Sequence, residues 1–281
     1  YTTIDITQSL REGENVVATV LGNGFYNEDA PVATWDFEKA RWRDRAKMIL
    51  EICVKYTDGT TLVIPTDDTW KTSVGPHVYN NIYSGETYDA CKENPDWNKA
   101  GFDDGKWDNA VYAKAPSSLL VSQTMQPMRI TKEYPALSVQ SFGDTVYVFD
   151  MGINLTGVCN IKLRGEKGTK ITLTHGELIK NNGRKEMRNL DIYYKPIKGI
   201  DFQTDNYFMK GEGEETFTPE FTYHGFRYVE LKSDRPVVLG KEDITAYFIH
   251  TDLEKVGHFS CSNELLNKIW AATNQSYLCN L

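Results

Sequence analysis

Two acidic side chains in the segment GETYDA (residues 85–90), Glu86 and Asp89, are the first candidates for chemistry in this sequence. Two carboxyl groups roughly 5–10 Å apart can act as general acid and base in glycoside hydrolysis. In an extended chain, residues three positions apart point to opposite faces, so Glu86 and Asp89 do not form such a pair. Glu86 follows Gly85 at a turn, where a carboxylate readily accepts backbone N–H groups. The sequence therefore favours a structural role for Glu86, in an ordered contact between domains or at a cap.

A second candidate is the segment HGFRY (residues 224–228). In a strand, His224, Phe226 and Tyr228 share one face and Arg227 points to the other. Histidine can titrate near neutral pH and arginine can bind a carboxylate, but without a nucleophile the two make no reaction. We therefore expect His224 and Arg227 to belong to a buried, hydrogen-bonded structural motif. The segment HGE (residues 175–177) is interpreted in the same way, as a contact between domains.

Length and composition limit the elements that position these residues. A chain of 281 residues is long enough for two separate cores. Its net charge is −8 with the basic residues scattered among acids, which argues against a nucleic-acid partner and favours a neutral or cationic ligand. No apolar run of about 18 residues is present, so the sequence predicts a soluble protein. The five cysteines show no metal-ligand spacing, which predicts mostly reduced, buried thiols, with one or two disulfides left open.

Short alternating runs separated by turns predict an all-β chain in the first 113 residues. Strands are predicted at 1–6 and 15–21. Residues 47–56 and 61–64 are predicted to form a hairpin around the turn TDGT. The chain opens without an initiating Met, which we interpret as a sign that it is a piece of a longer protein.

Residues 113–137 contain three prolines and are predicted to be a linker followed by an edge strand. The remaining predicted strands lie at 146–151, 158–163, 170–175, 217–221, 227–231 and 244–249. Near the C-terminus the period changes, because Leu265, Leu266, Ile269, Trp270 and Thr273 fall on one helical face behind Ser262 as N-cap. We expect this helix to present an apolar stripe and to begin a further domain.

Three segments together resemble the bacterial α-L-rhamnosidases: IYSGETYDA (82–90), FTYHGFRYV (221–229) and FSCSN (259–263) before LLN. Supporting segments are LREGEN (10–15), LGNGFY (21–26) and FDMGINLTG (149–157). The resemblance covers essentially the whole chain.

This resemblance implies two consecutive antiparallel β-sandwich (jelly-roll-like) domains with a C-terminal α-helix. Residues 1–115 would form a galactose-binding-like sandwich that lacks its N-terminal part, residues 116–258 a concanavalin-like sandwich, and residues 259–281 the first helix of an (α/α)₆ barrel. In the family that barrel hydrolyses terminal L-rhamnose with inversion, and its acidic motif matches no residue here. No catalytic residue is therefore predicted, and the expected partners are a rhamnose-containing glycoside and a barrel in the parent chain. A periplasmic or extracellular location is favoured over a cytoplasmic one.

Some relatives bind rhamnose through calcium, which directs attention to the segment GNGFYNED (residues 22–29). No cofactor is expected to be required. Calcium takes six to eight oxygen ligands, and here Asn23, Asn27, Asp29 and the carbonyl of Pro76 would supply some of them. An ordinary Gly-Asn-Gly turn is the alternative interpretation. The side chains expected to contact sugar are Asn23, Tyr26, Trp35 and Trp42.

Two further classes of protein remain open. One is a free-standing carbohydrate-binding module, which should end after its last strand, whereas this sequence continues into an apolar helix. The other is a cell-surface adhesion fragment, which would not need all three rhamnosidase-like segments. Both fit the sequence less well than a portion of a glycosidase.

Overall fold

The structure is a computed structural model that describes residues 1–30, 37–190 and 201–281. These residues form sixteen strands and one α-helix, α1 (Glu264–Leu278). The strands are β1 (Glu51–Lys55), β2 (Thr61–Pro65), β3 (Lys71–Thr72), β4 (His77–Asn81), β5 (Gly85–Asp89), β6 (Asp108–Asn109), β7 (Met128–Pro135), β8 (Ser138–Ser141), β9 (Val146–Arg164), β10 (Lys170–Gly176), β11 (Leu178–Ile179), β12 (Lys185–Glu186), β13 (Thr204–Phe208), β14 (Glu214–Phe217), β15 (His224–Ser233) and β16 (Ile244–Thr251). The predicted all-β class with a C-terminal helix is confirmed.

Ten strands form one curled sheet in the order β4-β5-β13-β10-β15-β9-β16-β7, with β8 and β14 also pairing with β9. The β5–β13 pair is parallel, whereas the other pairs of this sheet are antiparallel. The sheet therefore contains strands from both sides of residue 115. The division of the chain near that residue stays a prediction.

The hydrophobic core lies on one face of this sheet and is centred on β9, β10, β15 and β16. The largest fully buried side chains there include Phe149, Leu155, Ile171, Phe226 and Leu231. Burying side chains of this size contributes about 1.5–3 kcal/mol each relative to leaving them exposed. The alternation that predicted these strands is the alternation that builds the core.

Several local predictions hold in the first half of the chain and others fail. The hairpin is confirmed as β1 and β2, and its turn is closed by hydrogen bonds from the Tyr56 and Gly59 backbones, with Gly59 at φ +88°. Residues 1–6 and 15–21 form no strand, so that prediction is wrong. A strand needs a hydrogen-bonded neighbour, and their side chains are largely exposed instead, with Ile4 at 76% and Leu21 at 51%.

The second half follows its pattern more closely. The predicted strands 146–151 and 158–163 join into the single strand β9, and the predicted edge strand is confirmed as β7 at the end of the sheet. The strand predicted at 217–221 is wrong beyond Phe217, where β14 ends. All five cysteines have free thiols, but only Cys159 is buried, and the exposed Cys53 and Cys91 contradict the expectation of buried thiols.

The C-terminal helix is confirmed with a different cap. Asn263, not Ser262, is the N-cap, because its side chain accepts hydrogen bonds from the Leu265 and Leu266 backbones. The predicted apolar stripe is exposed, with Leu265 at 64% and Ile269 at 52%. The last turn contacts the sheet, since Gln275 Nε2 donates to the Asn154 carbonyl at 3.1 Å. No helix in the described part of the chain is long and apolar enough to cross a membrane.

Candidate functional site

The segments singled out in the sequence converge at one place, which we call the polar junction. It consists of buried or largely buried polar side chains from the loop 22–30 and from β4, β5, β13 and β15. These side chains are Glu28, His77, Glu86, Asp205 and His224. Segments more than 100 residues apart in sequence therefore meet through charged groups.

A close backbone approach beside Gly85 makes this convergence possible. The Gln203 and Thr204 backbones donate hydrogen bonds to the Tyr83 and Ser84 carbonyls, both at 2.8 Å. Gly85 has φ +116°, and a Cβ there would lie 2.1 Å from the Thr204 carbonyl oxygen. Only glycine fits this turn, which brings the start of β5 against β13.

The Glu86 carboxylate is 1% exposed and is bonded on both oxygens. Its Oε2 accepts the backbone N–H groups of Glu220 and Phe221 at 3.0 and 2.8 Å. Its Oε1 accepts a hydrogen bond from His77 Nδ1 at 3.1 Å. The carboxylate thus fixes the segment that leads into β15 against β4 and β5.

His77 is a titratable partner of this carboxylate. Burial lowers the pKa of His77, but the hydrogen bond that His77 donates to Glu86 and the charges of Glu86 and Glu220 outweigh burial and raise that pKa above its usual value. Glu220 contributes from 3.7 Å and is itself exposed. The pair of His77 and Glu86 is therefore strongest when His77 is protonated.

Asp205 lies behind Glu86, fully buried between two histidines. Its carboxylate accepts the Glu86 backbone N–H at 2.9 Å and contacts His224 Nε2 at 3.0 and 3.1 Å. Burial raises the pKa of Asp205, but the neighbouring histidines and the hydrogen bonds outweigh it and hold that pKa below its usual value. An ionised carboxylate only accepts hydrogen bonds, so His224 Nε2 carries the proton.

The second histidine of this cluster is His175, whose ring stacks on that of His224 at 4.3 Å. Burial, followed by the neighbouring His224, lowers the pKa of His175 to about 3, so this ring is neutral at pH 7. Its Nδ1 lies 3.2 Å from the Gln203 carbonyl and must donate to it. The remaining nitrogens, His175 Nε2 and His224 Nδ1, have no hydrogen-bond partner in the described residues.

His175, Asp205 and His224 each offer a metal-ligand atom, and these atoms lie within 4.8 Å of one another. The two rings are stacked with only 29° between their planes, so their in-plane lone pairs do not converge on one point. The Asp205 oxygens already accept N–H groups. These residues fit a hydrogen-bonded cluster better than a metal ion.

Glu28 anchors the loop 22–30 to the same junction. The carboxylate is fully buried and accepts hydrogen bonds from the Ala30 backbone and Asn81 Nδ2, both at 2.7 Å, and from the Ile82 backbone at 3.2 Å. Burial raises the pKa of Glu28, while these hydrogen bonds act in the opposite direction. The loop is therefore fixed to the turn between β4 and β5.

The predicted calcium ligands are only partly brought together. Asn27 Nδ2 donates to Asn23 Oδ1 at 2.8 Å, and Arg43 Nη1 lies 3.1 Å from Asn27 Oδ1 and 3.4 Å from Asp29 Oδ2. The Pro76 carbonyl accepts from the Asp89 backbone at the far end of β4. That point is roughly 13 Å along the strand from Asn80, the residue that Asn23 contacts.

These oxygens do not fit a calcium ion in this arrangement. The two asparagine carbonyl oxygens already accept N–H groups, and the guanidinium of Arg43 supplies the positive charge beside Asp29. A calcium ion needs several free oxygens at one point. Calcium binding stays a prediction.

The rings predicted to contact sugar do not share one set of neighbours. Trp42 is 52% exposed and lies 6.2 Å from Phe37, which stacks on Tyr83. Tyr26 lies apart under Lys47 Nζ, 5.8 Å from its ring centre. Trp35 lies outside the described residues. We call Phe25, Phe37, Trp42 and Tyr83 the aromatic cluster, since Phe25 also contacts Tyr83 at 6.3 Å.

Arg227 binds the side chain of Asp150 from β9 through two hydrogen bonds, at 2.8 and 2.9 Å. The predicted placement of Tyr228 on the His224 face is wrong. A β-bulge between Phe226 and Tyr228 shifts the alternation. The Arg227 guanidinium consequently lies over the Tyr228 ring at 5.1 Å.

Asp205, Glu28 and His77 are the junction residues that sequence reasoning missed. Asp205 lies in the short run TDNYF, whose polar residues gave no strand signal. Glu28 was passed over within a loop interpreted as a source of metal ligands. The nearby turn chemistry was the available signal, because the Asn81 side chain accepts the Tyr83 and Ser84 backbones, both at 2.9 Å.

Two protein-family models match this chain in succession. Residues 1–132 match the α-L-rhamnosidase N-terminal domain, and residues 140–250 match the bacterial α-L-rhamnosidase concanavalin-like domain.

Individual relatives agree with these matches. The chain is 33% identical over 96% of its length to an α-L-rhamnosidase of Formosa agariphila, of which it covers 28%. The structure is similar to that of an α-L-rhamnosidase from Dictyoglumus thermophilum (TM-score 0.77, 40% identity, 85% of this chain and 26% of that one). It is also similar to the Streptomyces avermitilis α-L-rhamnosidase complexed with L-rhamnose (TM-score 0.82, 32% identity, 92% of this chain and 24% of that one). The chain thus spans about a quarter of the length of these relatives.

Replacing Glu86 by Gln should lower the free energy of unfolding by about 1–3 kcal/mol, because one amide N–H₂ would face buried donors. Urea unfolding followed by circular dichroism measures this change. The matched control is Glu212→Gln at an exposed position, which should shift stability by less than about 0.5 kcal/mol. Equal effects of the two substitutions would contradict the structural role of Glu86.

The raised pKa of His77 predicts a pH dependence of stability. In the unfolded chain His77 titrates near its ordinary value of about 6.5. Protonated His77 therefore contributes stability that is fully present below about pH 6.5 and is lost as pH rises through the raised folded pKa. The difference in unfolding free energy between wild type and His77→Gln should shrink over that range. The exposed His258, changed to Gln, should show no such trend, and identical profiles for both variants would disprove the coupling.

Proposed function

This chain belongs to the bacterial α-L-rhamnosidase family, and we propose that it is the non-catalytic N-terminal portion of such an enzyme. In this proposal the parent enzyme releases terminal L-rhamnose with inversion, and residues 1–281 support its catalytic barrel. The observation that carries the proposal is the succession of the two family matches along a chain that spans about a quarter of its relatives. We propose that the chain divides into residues 1–115, 116–258 and 259–281.

The hydrogen bonds that the buried carboxylates accept support a structural, non-catalytic role for this chain. An inverting glycosidase needs two carboxyl groups roughly 6.5–9.5 Å apart with room for the sugar and a water molecule. Glu28, Glu86 and Asp205 are buried, and each accepts several hydrogen bonds within the protein. Groups bonded in this way position segments of chain and do not exchange protons with a substrate.

The exposed stripe of α1 supports a contact with other helices. Leu265, Leu266 and Ile269 are each 46–64% exposed, while the last turn of the helix lies on the sheet. In the parent enzyme this stripe would pack within the barrel, and the rigid sheet would hold the first helix in place. In this proposal the polar junction and the hydrophobic core support the barrel by holding the sheet, and with it α1, in place.

A carbohydrate contact is the second part of the proposal. Sugars bind proteins through ring stacking together with a few well-placed polar groups. The exposed Trp42 lies in the aromatic cluster, and the loop that carries Asn23 and Asn27 is held to β4 by a hydrogen bond from the Asn23 backbone to Asn80 Oδ1 at 2.7 Å. We propose that this region contacts the rhamnose-containing glycoside. A free-standing carbohydrate-binding module would use the same aromatic cluster, but it would not explain the exposed apolar stripe of α1.

The first expected outcome is that residues 1–281 release no nitrophenol from 4-nitrophenyl α-L-rhamnopyranoside, because the general acid and base would lie in the barrel. Absorbance during prolonged incubation measures release, with a commercial α-L-rhamnosidase as positive control. Turnover that co-elutes with the protein on two successive columns would overturn the non-catalytic assignment.

The second expected outcome concerns Trp42. Calorimetry with L-rhamnose should give weak binding that Trp42→Ala reduces about two- to tenfold, the range expected for loss of one ring contact. The matched control is Tyr112→Ala, which removes an 80% exposed ring outside the aromatic cluster and should leave affinity unchanged. We expect EDTA to have no effect, since Arg43 neutralises Asp29. Loss of binding in EDTA would instead support the calcium site and contradict binding by the rings alone.

A further inference from the structure

A second polar region lies on the sheet face opposite the core, away from the polar junction. The register of β13, β10 and β15 aligns two rows of polar residues across three strands. The rows are Asn206, Thr172 and Lys232, and Thr204, Thr174 and Glu230. Alternation along each strand places these side chains on one face while Leu173 and Leu231 enter the core.

The hairpin of β11 and β12 covers part of this face. Arg184 donates two hydrogen bonds to the Glu230 carboxylate, at 2.7 and 2.9 Å, and the Lys185 backbone donates a third at 3.2 Å. Between the hairpin and the sheet lies a cavity of about 230 Å³. Thr174 and Thr204 line it although they are only 8% and 6% exposed.

Positive charge is in excess around this cavity. Lys185 and Lys232 line it together with Asp201, and Arg184 is paired with Glu230 behind its wall. The lining itself thus carries two cations and one carboxylate, a net charge of +1 in a chain whose overall charge is −8. Lys232 Nζ also lies 3.6 Å from Glu230 Oε1. Lys185 is half-buried, and within the described residues its ammonium has no hydrogen-bond or ion-pair partner.

The hydroxyl groups in the cavity can still both donate hydrogen bonds to a ligand and accept them from it. Thr172 donates its proton to Asn206 Oδ1, and Thr204 donates to the Phe202 carbonyl, both at 2.9 Å, so the two oxygens can accept from a ligand. Thr174 Oγ1 lies 3.4 Å from Thr204 Oγ1, and its proton can donate either to that oxygen or to a ligand. Donors for an anion and acceptors for hydroxyl groups therefore occur side by side.

We propose that this cavity binds a small hydroxycarboxylate, such as an acidic monosaccharide, with its carboxylate at Lys185 and Lys232 and its hydroxyl groups at the threonines. The single surplus charge matches a monoanion. The volume lies below the 300–1,000 Å³ typical of pockets for drug-sized ligands, which limits the ligand to about one sugar unit. This site goes beyond the proposed function and does not depend on it.

Binding at this site depends on pH through Lys185. Burial, with a contribution from the charge of Lys232, lowers the pKa of Lys185 to about 8, although Glu230 and Asp201 oppose the shift. Lys180 is a further cation near this group. A bound carboxylate favours the protonated amine, so affinity decreases as pH rises from about 7 to about 9 and proton uptake accompanies binding near pH 8.

The test is calorimetry of the 281-residue chain with sodium D-glucuronate at pH 7. The neutral D-glucose is the matched ligand, and Lys180→Met, at an exposed lysine of the same hairpin, is the matched control for Lys185→Met. We expect D-glucuronate to bind, D-glucose not to bind, and Lys185→Met to weaken binding about tenfold or more while Lys180→Met does not. Methyl β-D-glucuronide distinguishes the source of the ligand, because it binds only if the site accepts an acidic unit that is glycosidically linked.

Absence of D-glucuronate binding, equal binding of D-glucose, or unchanged affinity in Lys185→Met would each overturn the proposal. If Lys185→Met does not fold, the wild-type chain provides the answer through acetic anhydride labelling and mass spectrometry. Protection of Lys185 by D-glucuronate, with Lys180 labelled as before, supports the site. Equal labelling of Lys185 with and without D-glucuronate overturns it.

Discussion

A buried carboxylate must find hydrogen-bond donors, and this requirement at Glu86 and Asp205 is the constraint on which the arrangement of the sheet depends. An unpaired ionised group in a protein interior costs several kcal/mol, so folding brings donors to these oxygens from wherever the chain has them. For Glu86 two of the donors lie more than 130 residues away, at the entry to β15. The parallel pairing of β5 with β13 places the carboxylate where those donors are.

The same rule organises the loops. Glu28 collects donors from its own loop and from the turn after β4, and Glu215 accepts the Tyr207 hydroxyl and the Lys210 and Gly211 backbones at 2.7–2.9 Å. Glu230 similarly anchors the hairpin of β11 and β12 through Arg184. Each of these loops is held at one buried carboxylate that accepts several hydrogen bonds. Removing such an anion releases a segment and leaves its donors unpaired, so the cost exceeds that of one surface hydrogen bond.

Local sequence patterns correctly predicted the structural features that depend on residues close together in the chain. Alternation located most strands of the core, and turn chemistry located the hairpin of β1 and β2. The pairing of β5 with β13 was not predictable, since the hydrogen bond from Glu86 to Asp205 joins residues 119 positions apart. In the candidate site, Glu86 was identified because a glycine turn precedes it. The role of Arg43 was missed, because a search for oxygen ligands within one loop does not consider a cation 16 residues further along the chain that contacts Asn27.

The polar junction and the cavity under the hairpin differ in how completely their charges are paired. This difference is the reason that we assign a structural role to the junction and ligand binding to the cavity. In the polar junction every buried carboxylate oxygen lies against a donor of the protein itself, so nothing remains for a ligand to satisfy. Under the hairpin of β11 and β12, the pairing of Arg184 with Glu230 is complete, but the partly desolvated ammonium of Lys185 has no hydrogen-bond or ion-pair partner among the described residues. An incoming carboxylate would supply that partner, whereas in the polar junction it would have to displace bonds already made. The free energy available for binding therefore lies where the fold leaves a charge unmatched.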